Sequence, residues 1–294
     1  MARTLVAGIE TGGTHLVAQI RELADGRTVD QGQWPTGTAE QAVDTLLKFM
    51  DSRRTEIAAV GIAAFGPLVI DVASPDYGKV LATPKPGWAG SNLRAALEAG
   101  LDVPVAVDTD VNAAAIAEQA IGAGQGVASV AYVTVGTGIG AGLAIEGRGL
   151  SGALHPEAGH LRLRRRAGDD LPSGCRFHAD CAEGLIAGPA VRRRLGGGEL
   201  QDDPATIELA ADYLGQLAAS LVLAWSPGRI VWGGGVIRAA PLVDAIRERV
   251  LAELNGYGVG PAVEQPGYCV AAALEHSGLE GALILAGGLS ERTG

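Results

Sequence analysis

The sequence predicts an α/β protein made of two related domains that face one another, and three observations carry that prediction. Apolar β-branched runs alternate with amphipathic stretches along most of the chain. Two segments of one design, a strand, a Gly/Thr turn and a returning strand, lie about half a chain apart. Glycine, at 44 residues, concentrates just after the apolar runs, where it makes turns rather than linkers.

The first hairpin is residues 5–18, where an apolar strand meets Thr11-Gly12-Gly13-Thr14 and an alternating strand returns. Residues 40–50 and 93–99 have the apolar spacing of amphipathic helices, whereas 60–65 and 103–107 are continuous apolar runs of buried-strand length. An Ala-rich helix is expected over 111–121, with a change of domain near Asn112. The second hairpin spans 130–143 around Gly136-Thr137-Gly138. A third such place, residues 229–236, is a strand running into Gly233-Gly234-Gly235, followed by a helix from about 241 to 254; residues 282–288 return to the first domain. The expected division is 1–112 with about 272–294 as a smaller N-terminal domain, and 113–271 as a larger one.

Composition narrows the function. With 294 residues, 47% apolar and 19% charged, the chain can bury a sizeable core, and its length suits one large domain or two moderate ones. Acidic residues outnumber basic ones 33 to 23, a net charge of −10, which argues against nucleic acid and anionic lipid and for small-molecule partners. None of the three lysines, Lys48, Lys79 and Lys85, follows a glycine-rich run, so a Walker-type phosphate loop is absent. Met1 to Leu5 carry no long apolar stretch and Thr11 to His15 break the short one, which predicts no signal peptide, no membrane span and a cytoplasmic chain. In that reducing compartment three cysteines do not make a disulfide framework.

Four motifs carry chemistry. Gly12, Gly13 and Thr14 expose backbone N–H groups without Cβ obstruction and form an anion cradle, as do residues 136–140; each also fits a plain tight turn. Glu10, beside the first turn, suits a water-bridged Mg²⁺ or a solvated edge charge. Asp108, Thr109, Asp110 and Asn112 sit where a buried strand becomes a helix, at the carboxyl end of the strand, where ligands collect. An acid there serves as a base toward a sugar hydroxyl or as a helix cap; Asp110 is the better base candidate and Asp108 fits either role. Cys175-x2-His178-x2-Cys181 with an upstream His supplies the four ligands of a closed, structural zinc site. His160 is the expected fourth ligand and His155 its alternative, and a 175–181 disulfide is disfavoured by the compartment. Trp88, in the rigid segment Thr83-Pro84-Lys85-Pro86-Gly87-Trp88, suits a sugar face or a core plug. Arg162, Arg164, Arg165 and Arg166 suit a solvated face or an oligomer contact.

Taken in this order, residues 8–14, Gly66-Pro67, 83–88, 108–115, 135–140, 155–160, the Cys/His cluster and 233–236 resemble the ROK (repressor, open reading frame, kinase) family of sugar kinases, and within it the zinc-containing fructokinases. The resemblance implies two actin-like (ribonuclease-H-like) domains with ATP and sugar in the cleft between them, ATP-dependent phosphorylation of D-fructose at O6, Mg²⁺ with the nucleotide, and a homodimer. It implies that Asp110 is the catalytic base and that Gly66, Pro67, Thr109, Glu157 and Glu183 line the sugar. Gly12, Gly13, Thr14, Thr137, Gly138, Gly188, Pro189, Gly234 and Gly235 would hold nucleotide, and His160, Cys175, His178 and Cys181 zinc. Two departures stand out: His15 replaces a usual lysine, and Thr109 replaces the asparagine common in glucose-specific members, which favours fructose. Another hexose, mannose or glucose, is the alternative substrate, and a non-catalytic sugar-sensing member the alternative class. The family's repressors carry an added N-terminal helix-turn-helix, for which a strand starting by Thr4 leaves no room.

Overall fold

The first apolar run folds into β1 (Leu5–Thr11), which pairs antiparallel with β2 (His15–Glu22) across the Gly12–Thr14 turn; β3 (Thr28–Pro35) continues the meander beyond β2. β4 (Ile57–Ala64) and β5 (Val105–Thr109) add in parallel on the other side of β1, giving the order β3-β2-β1-β4-β5. The computed structural model describes residues 3–258 and 262–293. β1 and β4 are buried on both faces, which is why they read as continuous apolar runs, whereas β2 alternates with Leu16, Ala18 and Ile20 buried.

Helices close this sheet. α1 (Ala39–Met50) starts at a capping box in which the Thr38 and Gln41 side chains and backbones satisfy each other. α2 (Leu93–Leu101) starts at Asn92, whose side chain accepts from the Ala95 N–H, and packs with α1 over a core of Ile9, Ile20, Leu46, Met50, Ile62 and Leu97. α9 (Ser277–Thr293) covers the opposite face through Leu279, Leu283 and Ala286, against Val6 and Ala59. Its close approach requires Gly61, where a Cβ would run into the Ala282 carbonyl. α3 (Asp110–Ile121) follows β5 directly and packs Ala113 against Ala63 and Ala282.

The second sheet repeats the plan. β6 (Ser129–Val135) and β7 (Ile139–Ile145) form an antiparallel hairpin, and the two-residue β8 (Arg148–Gly149) follows. β9 (Arg229–Gly233) lies parallel to β6 and β10 (Cys269–Ala271) parallel to β9, so the order β7-β6-β9-β10 reproduces β2-β1-β4-β5. Five helices accompany it: α4 (Ala182–Ile186), α5 (Gly188–Leu195), α6 (Pro204–Trp225), α7 (Gly235–Arg238) and α8 (Leu242–Leu254). By length and apolarity α6 would suffice to cross a membrane, but it is a core helix, buried along most of its length and packed on α4 and α8.

The chain forms two units, Met1–Ala117 with Arg148–His155 and Leu274–Gly294, and Glu118–Gly147 with Pro156–Ala273. Sequence patterning missed β3 and α4–α6. β3 is polar and largely exposed, so no buried face imposes alternation on it. α6 has only a narrow polar stripe, Glu208, Asp212, Gln216 and Ser220, within an otherwise apolar helix, so its periodicity is weak.

Candidate active site

In the first unit the carboxyl ends of β1, β4 and β5 lie at one sheet edge, because Thr11 pairs with Ala64 and Ala64 with Thr109. That edge brings together Gly12–Thr14, Gly66-Pro67 and Thr109-Asp110. The Phe65 N–H donates to the Thr11 carbonyl at 3.2 Å, and a cis Gly66-Pro67 bond turns the chain away. Two residues on, the Leu68 N–H donates to His155 Nε2 at 3.1 Å.

The two acids at this edge have different environments. Asp108 Oδ1 accepts from the Thr109 N–H at 2.7 Å and from Asn112 Nδ2 at 2.9 Å, and Asn112 also donates to the Leu150 carbonyl at 3.0 Å. Burial pushes the Asp108 carboxyl above its ordinary range, against those hydrogen bonds. The capping task goes to Thr109, whose Oγ1 accepts from the Asn112 N–H at 3.1 Å. Asp110, the first residue of α3, is half-buried, and its Oδ1 accepts from the Val111 N–H at 2.9 Å. Thus Asp108 braces the strand end, and Asp110 opens α3 beside it.

Two residues whose roles the sequence left open have their surroundings fixed here. Glu10 Oε2 accepts from the Leu279 N–H at 3.1 Å, so this carboxylate is engaged at the start of α9, where the helix dipole favours it. Of its two expected roles Trp88 takes the core plug: it is 1% exposed, its Nε1 donates to the Gly37 carbonyl at 2.9 Å, and Phe65 packs edge-on against it.

In the second unit a cavity of about 790 Å³ opens at the Gly136-Thr137 turn. Gly188, Gly235 and the apolar side chains of Val191, Leu195, Leu200 and Val236 line it, with Arg192 and Glu199 as its charged members. The Gly188 N–H donates to the Gly136 carbonyl at 2.7 Å, which joins α5 to the hairpin turn. Gly234 has φ of 92° and presses on the Val135 backbone, so glycine is required there. Thr137, Gly188 and Gly235 therefore meet at this cavity, while Gly138, Pro189 and Gly234 are not among its lining residues. The α5 and loop residues 191–200 went unread in the sequence; the glycine run 196–198 was their one visible signal. Glu183 Oε2 accepts from the Ile139 N–H at 3.2 Å, which braces the same turn, and Glu157 precedes the short 3-10 turn Ala158–His160.

His160, Cys175, His178 and Cys181 converge, with one ligand atom from each lying within 4.8 Å of the others. Cys175 Sγ is 3.8 Å from His160 Nδ1 and 3.7 Å from His178 Nδ1, and Cys181 Sγ is 3.7 Å from His160 Nδ1. A tetrahedral zinc with ordinary Zn–S and Zn–N bonds has S···N edges of roughly 3.6 Å, so the donor set fits that ion. His155 is excluded as the fourth ligand because its Nε2 is engaged by Leu68 in the other unit. The arginine run beside the cluster is ion-paired: Arg162 with Asp180, Arg164 with Glu253, Arg165 with Asp169 and Arg166 with Glu208. Asp169 also takes both Arg194 nitrogens, at 2.6 and 3.0 Å, and the Tyr213 hydroxyl at 2.5 Å.

A model of the ROK family matches residues 6–288. The chain is 38% identical over 286 residues to a fructokinase of Pediococcus pentosaceus, covering 96% of this chain and 97% of that protein. It is similar in structure to a ROK hexokinase from Thermus thermophilus (TM-score 0.77, 30% identity, 99% of this chain and 100% of that one). It is also similar to a ROK family glucokinase from Streptomyces griseus in complex with glucose and AMPPNP (TM-score 0.74, 29% identity, 99% and 100%). These neighbours and the repeated strand order identify both units as actin-like, ribonuclease-H-like domains.

Proposed function

The chain belongs to the ROK family, and from that premise we propose that it is an ATP-dependent hexose kinase that converts D-fructose to fructose 6-phosphate. The observation that carries the substrate is the 38% identity to a fructokinase over nearly the whole chain, against 29% to the glucokinase whose structure holds glucose. In this reading Asp110 accepts the proton of the sugar 6-hydroxyl as its oxygen attacks the γ-phosphorus; the bond to the β-phosphate oxygen breaks and ADP leaves. Asp108 and Asn112 hold the strand-to-helix junction that aims Asp110. Gly66, Pro67, Thr109, Glu157 and Glu183 bind the sugar, Glu183 through the oxygen that Ile139 does not use.

Thr137, Gly188 and Gly235 hold the nucleotide with the apolar side chains of their cavity, and Gly138, Pro189 and Gly234 support them. Gly12, Gly13 and Thr14 receive phosphate. Mg²⁺ accompanies ATP as the counter-charge to the phosphates. Zinc, held by His160, Cys175, His178 and Cys181, is structural and ties residues 161–174 to Glu157. The reading includes a cytoplasmic homodimer, by family resemblance.

A coupled ADP-release assay with Mg-ATP against fructose, mannose, glucose, N-acetylmannosamine and no sugar tests the proposal. A marked fructose preference supports it, whereas strong turnover of another hexose keeps the mechanism and overturns the substrate. If no sugar accelerates ADP release, the kinase reading fails.

A further inference from the structure

Lys85 is one of three lysines, and its ammonium is built into the first turn. Nζ donates to the carbonyl oxygens of Gly12 at 2.9 Å and Gly13 at 2.8 Å. It lies 4.5 Å from the centre of the Phe65 ring and 5.8 Å from that of Trp88, so the aromatic pair forms its wall. The Thr36 hydroxyl donates to the same Gly12 oxygen at 2.9 Å and the Thr36 N–H to the Thr14 oxygen at 3.1 Å. All three carbonyls of the turn are thereby engaged.

A trans peptide is planar, so the carbonyl of one residue and the N–H of the next point in opposite directions. Drawing the Gly12 and Gly13 carbonyls onto Lys85 therefore turns the Gly13 and Thr14 N–H groups away from it. Neither N–H makes a hydrogen bond within the protein among the described residues, and both residues are exposed. Two adjacent outward amides backed by a fixed cation form an anion nest. His15, next in the chain, has its Nδ1 2.9 Å from the Thr14 hydroxyl.

We propose that Lys85 is the positioning residue of the phosphate turn: it aims the Gly13 and Thr14 amides at an outer phosphate of the nucleotide and supplies the positive charge behind them. The inference rests on the kinase reading, and it assigns the Thr83–Trp88 segment a task at the nucleotide rather than at the sugar.

Calorimetry on the intact protein with ATP and AMP tests it, because AMP lacks the outer phosphates. Lys85→Met is expected to weaken ATP binding roughly tenfold, the size of a lost charged hydrogen bond, while AMP binding stays within about twofold. In turnover the same variant raises KM for ATP and leaves KM for fructose unchanged. Lys85→Arg, which keeps the charge and two donors, recovers most of the loss. Unaltered ATP binding overturns the proposal, as do equal losses for ATP and AMP, which would mark a merely structural lysine. Should Lys85→Met fail to fold, Lys85→Gln enters the same comparison. Amide exchange on the unmodified protein adds a second readout: Gly13 and Thr14 slow with ATP and not with AMP, and absence of that slowing overturns the proposal. Failure of the kinase reading appears separately, as ATP binding without sugar-dependent ADP release, and does not alter the ATP-to-AMP comparison.

Discussion

Asp108 and Asp110 are two positions apart in sequence and have opposite tasks. The first is pinned by Asn112 and the Thr109 amide, and burial raises its pKa; the second stands at the first turn of α3, at the sheet edge where the β1 and β4 ends also lie. On the proposed mechanism, removing Asp110 alone should remove the base. Asp110→Asn is expected to lower kcat by about 10²- to 10⁴-fold with KM for ATP unchanged, as steady-state kinetics with fructose will read. Retention of full turnover would return the residue to a capping role. Sequence placed both acids at a strand's carboxyl end and left Asp108 open, because neither its Asn112 partner nor that amide's second bond, to the Leu150 carbonyl 38 residues on, carries a local signal.

At the scale of the element, the segment between His160 and Cys181 has little core and is held by charge and by the four-ligand cluster. Cys175→Ala is expected to abolish zinc binding, read by metal analysis, and to make residues 161–174 sensitive to limited proteolysis; an unmutated protein without zinc would refute the site. Asp169 is the segment's other anchor, its side chain only 6% exposed. Burial pushes its carboxyl up, but the Arg194 guanidinium and the Tyr213 hydroxyl outweigh that and hold it at about 2. A folded pKa below the unfolded value contributes stability that is present above about 4 and is lost as pH falls toward 2. The contribution is on the order of 2 kcal/mol. Denaturant unfolding of the Asp169→Asn variant should therefore show lower stability at neutral pH and a flatter decline between pH 4 and 2 than the unmutated protein. The cysteine spacing announced the cluster, whereas the tie from Asp169 to Arg194 and Tyr213 spans 25 and 44 residues and could not be read ahead.

For the molecule as a whole, the first unit depends on a helix that returns from the far end of the chain. α9 closes one face of its sheet, and its buried Leu279 and Leu283 pack with the β1 and β4 residues Val6 and Ala59. Leu283→Ala is expected to cost about 2 to 5 kcal/mol in chemical denaturation, the range for a buried leucine. A loss below 1 kcal/mol would mean that the sheet face does not rely on α9. Each unit has the same strand order, and the sequence betrayed this only in its two Gly/Thr hairpins; the parallel additions of β4, β5, β9 and β10 are joined by long connections whose lengths and sequences differ.

Local chemistry was legible in the linear chain: the hairpins with their glycine turns, the strand-to-helix acid edge and the Cys/His ligand set. Each rests on backbone permissiveness or ligand spacing within a few residues, which sequence records directly. Other outcomes needed the fold. Trp88 took the core-plug alternative and walls Lys85, Glu10 met the start of α9, and Lys85 reached a turn 72 residues upstream. These depend on contacts that exist only after distant segments pack together, and no local pattern encodes which of several polar partners a side chain will meet.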